Sequence, residues 1–408
     1  MGRARRGRGG HRGTGGGALS GETNLPPDAR GRREAAPAGA AGSPTAAAWR
    51  AATRRPSRLF VRPARETERV AWDTFVAALP SADPLQSWAW GEVARTGRER
   101  PRRIVATDED GTMRGVAQVL VRDAAAGRRV LYVPHGPAWD ASAPDADAVL
   151  DALAHGLRMV GREERGIVAK LDPRATPAVS AGRLHAALRS RDLRPARADL
   201  QARTTRLIDL RPGAEAVFAG LEKDTRNLVR RSAREGVRTR VVRDADSAAY
   251  GTFSALLART GTRAGFRVRP AAALEAIARQ FAVAGDAYLV LADLEGEAIA
   301  GCLALATGPR AFYLYAASLR DGPRLKHANG PYAALWACIQ ALAADGRESL
   351  DLWGVVEPGD TTADPGWSGF SLFKRGFGGI PLAHPGTFDL VLSPAWYALR
   401  DIRERLRR

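Results

Sequence analysis

From Arg58 onward the chain mixes short apolar runs of strand character with longer stretches of helical period, and it does so twice in the same order. In the first pass RLFVRP reads as a strand. Helices follow around Trp72–Ala78 and Leu85–Ala94, the latter turning Leu85, Trp88 and Val93 toward a core. Three strands come next: RRIVAT, RGVAQVLVR after the Asp110-Gly111 turn, and RRVLYVP. A helix over Asp145–Arg162 and a buried strand, IVAKLD, close the unit. The second pass opens on RLIDL, and its spacing predicts one long helix from Ala214 to Arg234 with Val217, Leu221 and Leu228 on the apolar face. Helices around Ala248–Arg259 and Ala271–Ala282 precede a meander of AYLVLAD, EAIAGCLALAT and RAFYLYAAS, with turns at Glu295-Gly296 and Gly308-Pro309. A helix over Tyr332–Ala343 and the strand SLDLWGV end the pass.

This repeated order, at a spacing of roughly 180 residues, predicts two copies of one α/β module packed together. Helices, meander, helix and strand in that sequence suit the acetyltransferase fold. The expected architecture is α/β (α+β), with two tandem acetyltransferase-like (GNAT) domains over 59–205 and 206–379, the first completed by 380–408. A tail over 1–58 precedes them.

Composition changes the picture at the tail. Of a net charge of +18 on 408 residues, half lies within the first 58, which are Gly, Arg, Ala and Pro with almost nothing to bury. Such a segment is expected to be disordered. It reads either as an arm that touches RNA or membrane, or as upstream sequence behind a start codon set too early. Cys302 and Cys338 make no CxxC pair and the six histidines show no ligand spacing, so neither a disulfide framework nor a metal site is expected, and a reducing cytoplasmic setting fits. The longest apolar run, Tyr332–Ala344, is too short to span a bilayer.

Several catalytic signatures are missing: GxSxG, GxxxxGK[ST] and HExxH. The pyrophosphate loop of acyl-CoA acetyltransferases has a single match, RGTGGG at Arg12, inside the low-complexity tail. The sequence offers the acetyltransferase architecture without the CoA cradle.

Local clusters carry the chemistry instead. LYVPHGPAWD brings a strand into a Pro-Gly-Pro loop ending in Asp140, a general base or substrate anchor, or else an ordinary turn aspartate. In KDTRNLVRRSAREGVRTR, Arg226, Arg230 and Arg234 share a helix face, which fits a phosphate-tracking stripe or a solvated surface. RTGTRAGFRVRP sets arginines beside Phe266. The chain has 58 arginines and only four lysines, one of them Lys374 in GFSLFKRGFGG. Lysine differs in being a compact ammonium that approaches a small oxyanion and shifts its proton affinity when buried. Set between Phe373 and an Arg-Gly-Phe-Gly-Gly turn, just past the carboxyl end of LDLWGV, and dried by flanking phenylalanines, Lys374 is a candidate catalytic cation; the alternative is a snorkelling lysine.

LQSWAWGEV, LYVPHGPAWD, TRNLVRRSAREGV, YLYAAS, LDLWGV and GFSLFKRGFGG, in this order, resemble the Fem ligases, the peptidoglycan-bridge aminoacyltransferases. The resemblance runs from Arg58 to the C terminus and implies a double acetyltransferase-like fold that needs neither metal nor CoA nor other cofactor. It implies transfer of glycine, alanine or serine from aminoacyl-tRNA to the stem-peptide amine of lipid II or a UDP-linked muropeptide. By the same resemblance Lys374 stabilises the oxyanion and Phe373 meets the tRNA acceptor end. Tyr132, Asp140, Arg263, Tyr315 and Trp353 would contact the precursor, and Arg226, Arg230 and Arg234 the tRNA or phosphates. A cytoplasmic monomer in peripheral contact with the inner membrane face is implied. Two departures stand out. Ala94 occupies the place of a lysine common in the family, so a phosphate contact is lost or moved to Arg95 or Arg98. The stretch from Arg243 to Ser247 leaves no room for the helical tRNA-binding arm of some members. Rival expectations are an acyl-CoA-dependent N-acyltransferase and a basic RNA-binding protein.

Overall fold

The computed structural model describes residues 58–265, 268–358 and 368–406. The tail expected over 1–58, Arg58 apart, and Phe266 lie outside them.

Two meanders organise the chain. In the first, β1 (Phe60–Pro63) borders β2 (Arg100–Thr107), which runs antiparallel to β3 (Met113–Asp123) and on to β4 (Arg129–Val133). Helices α1 (Arg69–Ala78) and α2 (Trp88–Arg95) lie between β1 and β2, and the short β5 (Ala138–Trp139) pairs with β3. Helix α3 (Ala146–Glu163) then crosses over to β6 (Gly166–Leu171), parallel to β4. Helix α4 (Ala181–Arg189) and β7 (Arg194–Pro195) end this half.

The second half begins at β8 (Thr204–Asp209), followed by α5 (Ala214–Gly220), α6 (Lys223–Arg234), β9 (Arg238–Val242), α7 (Ser247–Ala264) and α8 (Ala271–Ile277). The meander β10 (Ala287–Leu294), β11 (Glu297–Thr307) and β12 (Arg310–Ser318) repeats the first, and α9 (Gly322–Ala328) and α10 (Gly330–Ala344) cross over to β13 (Ser349–Gly354), parallel to β12. Helix α10 is apolar on nearly every side, as a buried crossover requires. After α11 (Ser368–Gly376), β14 (Ile380–Ala383) joins β8, and the chain returns to the first sheet only at β15 (Phe388–Val391), ahead of α12 (Pro394–Leu406). The result is an eight-stranded and a seven-stranded sheet, each built on an antiparallel meander with one parallel addition. This is the tandem acetyltransferase architecture that the element order predicts.

Two expectations need correction. The long helix over Ala214–Arg234 is two helices: Leu221 is extended (φ −64°, ψ 153°) and 2% exposed, so its side chain enters the core where the helix would have held it aside. On α6 the buried face is Thr225, Val229 and Ser232, and Leu228 is only half-buried. The helix expected over Leu85–Ala94 is broken at Ser87, because Asp83 caps a single turn at Leu85 N and Ser87 then caps α2 at Trp90 N. Lys374 itself lies on α11, just ahead of the turn at Phe377.

The halves pack directly on one another. Gly308 (φ +57°) lies so close to α1 that a Cβ there would stand 2.2 Å from Ala77 O. Arg310 donates to Pro80 O at 2.9 Å. One apolar cluster takes Trp90, Val93 and Tyr132 from the first half and Phe253, Leu289 and Leu305 from the second.

Candidate functional site

Strand β13 runs through the middle of the second sheet, and Leu350, Asp351 and Leu352 in it are fully buried. A buried aspartate in a central strand demands partners, and Asp351 has them on both oxygens. Oδ1 accepts from Trp353 N at 2.7 Å and lies against Thr205 Oγ1 from β8; Oδ2 accepts from Arg174 Nη2 at 2.7 Å, with Arg310 Nη2 3.7 Å away. Burial alone would raise the Asp351 carboxyl; Arg174, Arg310, Thr205 and the Trp353 amide outweigh it and hold it below the usual range.

Two residues on, Trp353 has φ +60°. A non-glycine residue held there stores strain of order 1–3 kcal/mol. The strand holds it at both ends, through the amide bond to Asp351 and through Trp353 O, which accepts from Thr205 Oγ1 at 2.8 Å. This bend turns the next carbonyl, Gly354 O, toward α11.

Lys374 donates its Nζ to Gly354 O at 2.9 Å and is 1% exposed. Helix α11 is clamped to the loop after β13 on another face: Ser371 Oγ accepts from Val356 N at 2.9 Å, and Arg375 Nη1 donates to Val356 O at 2.6 Å. Phe370, four residues before Lys374 and so on the same helix face, covers the ammonium at 3.9 Å from the ring centroid, and the Tyr313 ring lies 5.7 Å away. Burial pushes the lysine down to about 7, against the pull of Asp351. The site therefore holds a compact, poorly solvated cation that can change protonation state near neutral pH.

The first half closes the other side. Arg174 follows β6; His135 follows β4 and meets the Trp353 ring at a tilt, 4.7 Å between centroids. His135 Nδ1 lies 2.7 Å from Asp83 Oδ2, and its Nε2 has no hydrogen-bond partner among the described residues. His384 Nδ1 accepts from Ala175 N at 3.2 Å, and burial, then Arg174, push its proton affinity well down, so it is neutral at pH 7.

The residues singled out in the sequence fall into three groups. Lys374 and Trp353 share the unit just described. Tyr132 and Tyr315 pack with Trp353 in one apolar cluster. Tyr132 OH accepts from Gln201 Nε2 at 2.7 Å, Arg122 lies 4.4 Å over its ring, and burial, then Asp172, push the phenol well up. Arg263 closes α7, with Nη1 donating to Ser318 O at 2.6 Å on β12.

Other candidates are committed elsewhere. Phe373 does not dry the lysine as a flanking residue would; it is one position off that face and packs on Tyr332 at 4.9 Å and Phe377 at 5.3 Å. Asp140 accepts from Ser142 N at 2.9 Å and Ser142 Oγ at 2.5 Å in the turn before α3. Its successors Ala141 and Ser142 line a separate cavity of about 530 Å³ together with Leu150 and Arg183. Arg226 donates to the carbonyls of Ala219 and Leu221 and is half-buried, whereas Arg230, 5.1 Å over Phe218, and Arg234 are both exposed. Ala94 is buried, and Arg95 pairs with Glu92 at 2.8 Å.

Asp351, Arg174, Thr205 and Phe370 escaped the sequence reading. The aspartate inside the apolar LDLWG was the available signal. No group of histidine, cysteine or acidic residues among the described residues is arranged to hold a metal.

The family model described as "Acetyltransferase (GNAT) domain" matches residues 221–362. A protein named lipid II:glycine glycyltransferase from Staphylococcus haemolyticus is 28% identical over 240 residues, 56% of this chain and 54% of its own. Its namesake from Staphylococcus aureus is 28% identical over 236 residues, 55% and 53% of the two chains. The match thus spans about half the length of these relatives. The crystal structure of FemX superposes with a TM-score of 0.72 at 20% identity, covering 83% of this chain and 99% of that one. The structure of L-PGS from Bacillus licheniformis shares the fold at a TM-score of 0.52 and 11% identity, over 83% and 96%. The chain is thus an acetyltransferase-fold protein of the tandem class. Within that class it is similar in sequence, over about half their length, to proteins named lipid II:glycine glycyltransferase, and in fold to FemX.

Proposed function

We propose that this chain is an aminoacyltransferase that extends the stem peptide of a peptidoglycan precursor, with an aminoacyl-tRNA ester as donor. The observation that carries the reading is Lys374, a buried ammonium fixed at the carboxyl end of β13 in a chain whose named relatives are lipid II:glycine glycyltransferases. In the reaction the acceptor amine attacks the ester carbonyl carbon and a C–N bond forms. The carbonyl π electrons move onto oxygen, giving a tetrahedral oxyanion. Lys374 is the group for that charge, worth most in a site from which Phe370 excludes water. Collapse breaks the C–O bond to the terminal ribose, whose hydroxyl takes up the proton the amine gives away.

In this reading Tyr132, Tyr315 and Trp353 would form an aromatic wall for the acceptor with Arg263 as a further contact, Phe373 and Arg234 would meet the tRNA, and Asp140 would contact the precursor only if it extends to the separate cavity beside Ala141 and Ser142. Glycine is the favoured aminoacyl group, by analogy with the relatives' names, with alanine and serine as alternatives. A lipid-linked acceptor places the chain at the cytoplasmic membrane face. None of its described helices is long and apolar enough to cross a membrane, so contact would be peripheral, and the exposed Leu372 and Ile380 support it. The experiment is transfer of labelled glycine, alanine or serine from charged tRNA to lipid II and to the UDP-linked muropeptide, with Lys374→Met as control.

A further inference from the structure

Lys374 is held by a peptide, and that peptide is held by something else. Gly354 O, its hydrogen-bond acceptor, follows a tryptophan in the left-handed region. The Trp353 amide is fixed by Asp351 Oδ1. The Thr205 hydroxyl is within reach of both Asp351 Oδ1 and Trp353 O, and its single proton serves one at a time. On the far side, Asp351 Oδ2 is bound by Arg174, which comes from the other sheet.

We propose that Asp351 is the positioning residue of the Lys374 site: it fixes the peptide that receives the lysine, stands as its counter-charge, and ties both to the first half of the molecule through Arg174. This rests on Lys374 being the cation that meets the reacting oxygen. A buried ion pair whose only task is cohesion needs no link to the lysine, yet Asp351 reaches it by two routes, one through Trp353 and Gly354 and one through space. Among the described residues, the groups facing the lysine are Tyr313 from β12, Asp351 and Gly354 from β13, and Phe370 from its own helix. Asp351 is the carboxylate among them, and Arg174 and Arg310 moderate its charge.

A chain with four lysines permits a direct test. With ¹³Cε-lysine incorporated in the full chain, the Lys374 signal is assigned by its loss in Lys374→Met and followed against pH. Asp351→Asn should lower its proton affinity tenfold or more, because the counter-charge is gone. Thr205→Val keeps the charge, and should move the midpoint much less while lowering kcat for transfer with KM little changed. If Asp351→Asn fails to fold, Arg174→Gln takes its place; with Asp351 less neutralised, the lysine midpoint should rise. An unmoved midpoint in a folded Asp351→Asn, or in its substitute Arg174→Gln, overturns the proposal. The titration needs no substrate, so an absence of transfer would count against the proposed reaction while the midpoints still decide the role of Asp351.

Discussion

The ammonium of Lys374 lies 2.9 Å from the carbonyl oxygen of Gly354, roofed by the Phe370 ring and almost closed to water. That contact compensates poorly for lost hydration, which is why the lysine is held down to about 7.

The consequence for stability has a definite sign. Below pH 7 Lys374 is protonated both folded and unfolded, and the full cost of burying the charge is present. Between about 7 and about 10.4 the unfolded chain binds the extra proton, so stability rises with pH until the cost has gone. Lys374→Met should therefore be more stable than the parent at pH 6.5, by a few kcal/mol, with the difference shrinking as pH climbs toward 10. Urea unfolding of the two proteins across that range checks this.

Arg174 and Asp351 should behave as one unit. Removing either partner leaves a buried charge uncompensated, so Arg174→Met and Asp351→Asn should each cost about 3–5 kcal/mol. The double variant should be less destabilised than the sum, as a denaturation double-mutant cycle would reveal.

Gly379 connects α11 to β14 at φ +75°, and a Cβ there would stand 2.8 Å from Leu207 O. Gly213, at φ +87°, has open space around it. Gly379→Ala should thus cost about 1–3 kcal/mol more than Gly213→Ala, since overpacking against a strand backbone adds to the dihedral strain.

Leu372 and Ile380 are 62% and 57% exposed. Leu372→Ser with Ile380→Ser should change stability by no more than about 1 kcal/mol and weaken sedimentation with anionic lipid vesicles. Unchanged vesicle binding would remove this surface from the membrane contact.

How much of this was legible beforehand differs from element to element. Both meanders follow from strand patterning bounded by Glu295-Gly296 and similar turns, signals that are local. Lys374 stood out because so few lysines survive among the arginines. Its helix did not, because glycines flank GFSLFKRG on both sides and mask the period. Once α11 is known, Phe370 at four residues' distance is the obvious cover, while Phe373, one position off that face, packs on Tyr332 and Phe377. Arg174 reaches Asp351 across 177 positions, and no local pattern announces a partner that distant.

The most direct measurement of the central claim is transfer of labelled glycine, alanine or serine from charged tRNA to lipid II by the parent chain and by Lys374→Met and Lys374→Arg. Label should reach the precursor with the parent and fall about 10²–10³-fold in both variants, the arginine failing because its planar fork cannot occupy the Gly354–Phe370 slot. Transfer that survives Lys374→Met, or activity with CoA thioesters and none with any charged tRNA, would contradict it.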